Sequence, residues 1–228
     1  MTLTRVCWSP AVRLIAARLP RLAIFEVVAA PADLPAILEL EALTNPRLRP
    51  AVGATAAIPV GDRVSGPGAA FAMAPFAYPA NGRFSDERHG AYYAASTLAT
   101  AIAEVSYHRA RFAARTPTPP MDFDERVIEA EVDTELLDLR AEARTSSLFD
   151  SDPDRYGATQ AFARDQRERG IAGIVFPSVR DQAGECVALF VPRLVRDART
   201  AGYVGLRWDG TRIIDAFRKE SLSTTYPN

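Results

Sequence analysis

The stretch Ala91-Tyr92-Tyr93-Ala94-Ala95-Ser96-Thr97-Leu98-Ala99-Thr100-Ala101-Ile102-Ala103-Glu104-Val105-Ser106-Tyr107-His108-Arg109-Ala110-Arg111-Phe112 holds the clearest local signal in the chain. Its start, Ala91 to Ala94, predicts a short strand with Tyr92 and Tyr93 on opposite faces. Ser96 or Thr97 then offers a hydroxyl cap for a helix running to about Phe112, rich in helix formers and free of internal Gly or Pro. Leu98, Ala101, Ile102, Val105 and Phe112 recur at helical spacing and predict the buried stripe. Glu104 falls on the flank of that stripe, in line with Thr97, Ala101 and His108, where a carboxylate faces a cleft rather than open water.

Downstream, a proline-rich loop (Thr116 to Pro120) leads to a strand over Arg126 to Val132, with Leu136 to Leu139 pairing nearby. Tyr156 to Arg169 reads as a second helix, with Phe162 and Ala163 inward and Gly170 at its C-terminal cap. Ile171 to Phe176 and Cys186 to Val191 are apolar strands, and Tyr203 to Trp208 with Arg212 to Phe217 form a hairpin through Asp209-Gly210. Upstream, Leu22 to Val28 is strand-like in composition. Asp33 caps a short helix to Leu43 with Leu34, Ile37, Leu38 and Leu40 apolar and Asn45-Pro46 ending it, and Gly53 to Pro79 reads as loop with short strands. The sum is one compact α+β domain over residues 61–228, with residues 1–60 as an N-terminal extension packing on it.

Composition narrows the chemistry. The 228 residues carry a formal net charge of −1, which gives no electrostatic footprint for nucleic acid or an anionic membrane. Lys219 is the sole lysine and sits in a polar tail, so a lysine-based phosphate loop and Schiff-base chemistry are poor fits, whereas the abundant arginine suits forked recognition of phosphate. Two histidines (His89, His108) and two distant cysteines (Cys7, Cys186) give no metal-ligand spacing and no disulfide framework, which fits a cytoplasmic location. Arg13, Arg18 and Arg21 interrupt the N-terminal apolar run, so neither a signal peptide nor a membrane span is expected.

Three polar positions stand where a cleft needs them: Arg83 in Asn81-Gly82-Arg83-Phe84-Ser85, Glu104 on the helix flank, and Ser178 after an apolar strand. Spacing alone leaves bland alternatives open: a surface arginine, its salt-bridge partner, and a turn serine.

The segments Gly82-Arg83-Phe84-Ser85, Ala91 to Ser96, Ala101 to Glu104, Tyr156 to Gln160, Ile174 to Arg180 with Gly184, and Ala188-Leu189-Phe190 together resemble the RES-domain family over about Arg63 to Pro192. That family takes its name from an Arg, a Glu and a Ser, matched here by Arg83, Glu104 and Ser178. The resemblance implies a fold like that of the ADP-ribosyltransferases and a toxin-type enzyme that cleaves NAD⁺ at the nicotinamide–ribose bond. NAD⁺ is then a substrate, cleaved either by water or with inorganic phosphate as co-substrate, and no cofactor is tightly bound. It also implies neutralisation by an Xre-like helix-turn-helix antitoxin. Transfer of ADP-ribose to a protein and a non-catalytic binding module are the alternatives. In this reading Glu104 stabilises a ribosyl cation, Arg83 forks onto phosphate oxygens, and Ser178 bonds a ribose or phosphate group. Tyr93 stacks on nicotinamide or bonds a ribose hydroxyl, and Gln160 is a further pocket candidate. The family's additional early arginine is assigned first to Arg63 and second to Arg49, Phe84 replaces the usual tryptophan, and His108 is read as structural or solvated.

Overall fold

The computed structural model describes residues 2–19, 24–27, 30–45, 48–142 and 146–220. Among these residues seven strands form one sheet: β1 (Thr2–Ala16), β2 (Tyr92–Ala95), β3 (Met121–Asp138), β4 (Gly173–Pro177), β5 (Glu185–Leu189), β6 (Arg196–Trp208) and β7 (Ile213–Lys219). Their order is β1-β2-β5-β4-β3-β6-β7, and a further β1–β3 pairing bends the first five into a ring. The length of β3 makes this possible. One of its edges faces β1 from Asp138 to Glu125, while the other is shared by β6, from Met121 to Glu131, and β4, at Leu137 and Asp138. The β3–β4 pair is parallel and the others are antiparallel. β1 and β2 share a single register pair, Val12 with Ala95, so the ring opens there.

Among the described residues there are six α-helices, α1 (Ile24–Val27), α2 (Leu34–Thr44), α3 (Arg49–Ala57), α4 (Ala69–Ala77), α5 (Leu98–Ala114) and α6 (Gly157–Glu168); α4, α5 and α6 pack on the sheet and α1–α3 on α4. The strands alternate their side chains between two cores, Tyr92 entering the one shared with α4 and Tyr93 the one shared with α5 and α6. This is the mixed α+β architecture expected from the sequence. Among the described residues no helix is long and apolar enough to cross a membrane.

Several local expectations are corrected. Ile24 to Val27 is helical, not extended, and the remaining residues of Leu22 to Val28 lie outside the described ones. Residues 53–79 hold α3 and α4 instead of loop with strands. α4 reads Ala69-Ala70-Phe71-Ala72-Met73-Ala74 with Gly68 before it, a run of good helix formers that is apolar all round. Phe71 and Phe76 face the sheet core while Met73 and Ala77 face α1–α3, so burial on both sides erases the periodicity. Gly68 turns into α4 at φ 81°, where a Cβ would sit 2.2 Å from the Ala198 carbonyl oxygen. Leu34 and Leu38 are buried in α2, yet Leu40 and Phe112 are exposed, and Leu136 to Asp138 continue β3. Lys219 belongs to β7 and pairs with Asp124. Of the first sixty residues, those of α1–α3 pack on α4, and those of β1 form a strand of the ring.

Candidate active site

α5 is pinned at both ends of its buried face. Thr97 caps it, accepting from the Thr100 amide at 3.1 Å, and Thr100 Oγ1 donates to Asp181 at 2.7 Å. Farther along, Arg109 grips the fully buried Glu125 of β3 through two hydrogen bonds, of 2.5 and 3.0 Å. Between these anchors Glu104 receives a 2.5 Å hydrogen bond from Ser178 Oγ. Ser178 is fully buried just after β4, and its oxygen accepts from the amides of Arg180 (3.1 Å) and Asp181 (2.9 Å). Its proton is therefore directed at the carboxylate and its lone pairs at the backbone. Among the described residues Glu104 has no cationic side chain paired with it.

The loop before β2 supplies the arginine. Tyr93 Oη accepts from the Phe84 amide (2.8 Å) and donates to Ser85 Oγ (3.1 Å), and a Cβ on Gly82 would come within 2.8 Å of that hydroxyl. α6 staples the loop from behind: Gln160 donates to the Gly82 carbonyl at 3.1 Å, and Arg167 to those of Phe84 and Gly90 at 3.1 and 2.9 Å. Burial lowers the Arg167 guanidinium to about 10, still cationic at neutral pH. Arg83, 6% exposed, donates to the Leu148 carbonyl (2.9 Å) and the Tyr156 hydroxyl (3.3 Å), with its guanidinium over the Tyr156 ring.

Arg83, Tyr93 and Glu104 meet on the wall of one cavity of about 620 Å³, which also takes in Arg13, His108 and Arg111. Ser178 stands behind the wall, with its hydroxyl on Glu104 and outside the cavity lining. Gln160 likewise supports the loop and does not line the cavity. Arg63 is away from it: its guanidinium binds the carbonyls of Ile58 and Ala56 at the C-terminal end of α3, and that of Ala32 in the turn before α2. Arg49 opens α3. Reading the sequence missed Arg13, on β1, and Tyr156, under Arg83. The signal for Arg13 was a lone arginine between Val12 and Leu14 in an apolar strand.

Burial holds the His108 imidazole below its usual value, with Arg180, Arg111 and Arg83 adding to the effect against the pull of Glu104, so it is neutral at pH 7. Burial raises the thiol of Cys186, on the same wall, far above the ordinary cysteine range, which keeps it protonated at neutral pH. Among the described residues no cluster of His, Cys, Asp and Glu is arranged to hold a metal ion.

Residues 61–209, which bear Arg83, Tyr93, Glu104 and Ser178, match the family model described as the RES domain. The chain belongs to the RES-domain family. Outside the family match lies β1 with Arg13, so one wall of this RES domain's cavity comes from the segment before it. The chain is similar to the uncharacterized protein y4oC of Sinorhizobium fredii, 27% identical over 206 residues that cover 88% of this chain and 84% of that one. It is also similar to a chain in the crystal structure of the M. tuberculosis MbcT-MbcA toxin-antitoxin complex, at 14% identity and a TM-score of 0.42, covering 89% of this chain and 86% of the other.

Proposed function

We propose that this RES domain cleaves NAD⁺ at the nicotinamide–ribose bond and acts as the toxin of a toxin–antitoxin pair. The observation that carries the reading is Glu104: a carboxylate fixed by Ser178, without a cationic partner among the described residues, and facing a cavity with arginines in its wall. When the C1′–N bond breaks, its electron pair leaves with nicotinamide and the ribose becomes cationic. A fixed anion beside that carbon stabilises charge that exists only as the bond opens, which lowers the barrier without tightening substrate binding. The oxygen of water or of inorganic phosphate then bonds to C1′. Water yields ADP-ribose and a proton, and phosphate yields the 1-phosphorylated ADP-ribose. Arg83, immobilised by Leu148 and Tyr156, is suited to hold an anionic oxygen of the substrate, and Tyr93 to contact a ribose hydroxyl.

Purified protein incubated with NAD⁺, with and without inorganic phosphate, is expected to release nicotinamide, and mass analysis of the ribose product tells hydrolysis from phosphorolysis. Release that needs an added protein acceptor assigns ADP-ribosyl transfer instead. No release under any condition, with no label passed to protein, leaves only a binding role. In cells, expression of the chain alone is expected to arrest growth, and co-expression of a helix-turn-helix antitoxin of the Xre type to restore it.

Ser178→Ala tests the orienting role. Glu104 loses its donor and two partly buried amides lose an acceptor, so the melting free energy is expected to fall by about 1–3 kcal/mol and nicotinamide release by roughly tenfold, in kcat more than KM. A variant unchanged in both assigns Ser178 no part in the site.

A further inference from the structure

We infer that Asp181 is a positioning residue: by holding Thr100 it fixes the loop after β4 on α5, and so aims the Ser178 hydroxyl at Glu104. Thr100, Glu104 and Tyr107 follow one another at helical spacing and share one face of α5. Three residues of the loop meet them in turn. Asp181 Oδ2 accepts from Thr100 Oγ1 at 2.7 Å, Ser178 Oγ donates to Glu104 Oε1 at 2.5 Å, and the Arg180 guanidinium lies 3.3 Å from the Tyr107 ring centroid. The loop is also closed on itself. The Asp181 amide donates to Ser178 Oγ at 2.9 Å, the Ser178 amide to the Gly184 carbonyl at 2.8 Å, and the Gly184 amide to the Asp181 carbonyl at 3.1 Å. A Cβ on Gly184 would come within 2.5 Å of Thr100 Cγ2 and 2.7 Å of Asp181 Oδ2, so the loop lies closer to the helix than any side chain there allows.

Asp181 therefore joins both halves of the arrangement. Its carboxylate takes the hydroxyl of a helix residue that is 1% exposed, and its amide occupies the serine oxygen as a donor. With the Arg180 amide as a second donor to that oxygen, the serine proton is left to point at Glu104. A glutamate has three side-chain torsions to restrain, and a carboxylate that drifts by about 1 Å from a reacting carbon forfeits much of its effect. Neither Thr100 nor Asp181 lines the cavity, so their influence reaches the substrate only through Ser178 and Glu104. Arg83 and Tyr93 are held by other elements, which spares binding.

This inference deepens the NAD⁺-cleaving reading, and one of its two measurements needs no activity. In ¹³C-glutamate spectra of the full chain at neutral pH, the Glu104 carboxyl signal is assigned from its absence in Glu104→Gln. Thr100→Val, which keeps the shape and removes the hydroxyl, and Asp181→Ala are expected to move that signal toward its position in Ser178→Ala. Thr100→Ser and Asp181→Asn keep donor and acceptor and are expected to hold it near the wild-type position. In the second measurement Thr100→Val and Asp181→Ala are expected to lower kcat for nicotinamide release by roughly 3- to 10-fold with KM little altered, and Thr100→Ser to recover most of the loss. In a Ser178→Ala background neither substitution is expected to lower kcat further, although each still lowers the melting temperature. A Glu104 signal at the wild-type position in both Thr100→Val and Asp181→Ala overturns the inference, as do kcat losses that multiply with that of Ser178→Ala. A signal that moves as expected in a protein that releases no nicotinamide sustains the positioning role and removes the enzymatic reading. An unmoved signal in an active enzyme does the reverse.

Discussion

Glu104→Gln is expected to reduce nicotinamide release by roughly 10²–10³-fold while the protein remains folded. The glutamine side chain has the same length and still presents an oxygen to the Ser178 hydroxyl, which lies 2.5 Å from Glu104 Oε1, so packing and hydrogen bonding survive. Only the charge is lost. An electrostatic term of this kind acts as the ribosyl cation forms, so the loss belongs in kcat with KM little altered, and single-turnover assays should show it in the bond-breaking step. Thermal melting within a degree or two of the wild type is part of the expected result. A Glu104→Gln protein as active as its parent would remove the central argument for NAD⁺ chemistry. One that no longer folds would give Glu104 a structural duty instead.

The largest effect on stability is expected at the other end of the same helix. Arg109→Ala leaves Glu125, with a side chain 1% exposed, as a buried carboxylate without its bidentate partner. Breaking such a pair from one side costs about 3–5 kcal/mol, which for a chain of this size lowers the melting temperature by roughly 6–20 °C. The cost belongs to the stranded charge, so replacing both partners with apolar residues of similar volume, Arg109→Met with Glu125→Leu, is expected to recover most of the loss. Calorimetric melting of the two single variants and the double variant decides it. Equal destabilisation in all three would show that helix packing, not charge, is at stake.

How far the sequence disclosed this molecule follows from where each signal originates. Thr97, the apolar spacing of Leu98 to Val105 and the alternation of Tyr92 and Tyr93 are local, and local physics placed α5, β2 and therefore Glu104 and Tyr93 correctly. α4 escaped because an apolar run buried on both sides has no periodicity to read. The ring escaped because the pairing of β1 with β3 is a contact between residues more than a hundred positions apart, which nothing inside either segment announces. That is also why Arg13 was taken as an interruption of an apolar run and not as part of a binding wall. Ser178 stood out as a polar residue after an apolar strand and through the resemblance, but only geometry shows that its hydroxyl turns to Glu104. Arg63 went the opposite way: its three backbone acceptors near the end of α3 are invisible until that helix is known.

The pairing of Thr2 with Asp138 also has a consequence in time. On the ribosome the first strand emerges long before the one it must join, and at about 5–20 residues per second it waits several seconds for that partner. Until the rest of β3 has cleared the exit tunnel, Arg13 has no finished sheet to lean on and the pocket does not exist. A nascent chain of this protein therefore carries no cavity in which a substrate could be held until β4 and β5, which supply Phe176 and Cys186 to the wall, have also been made.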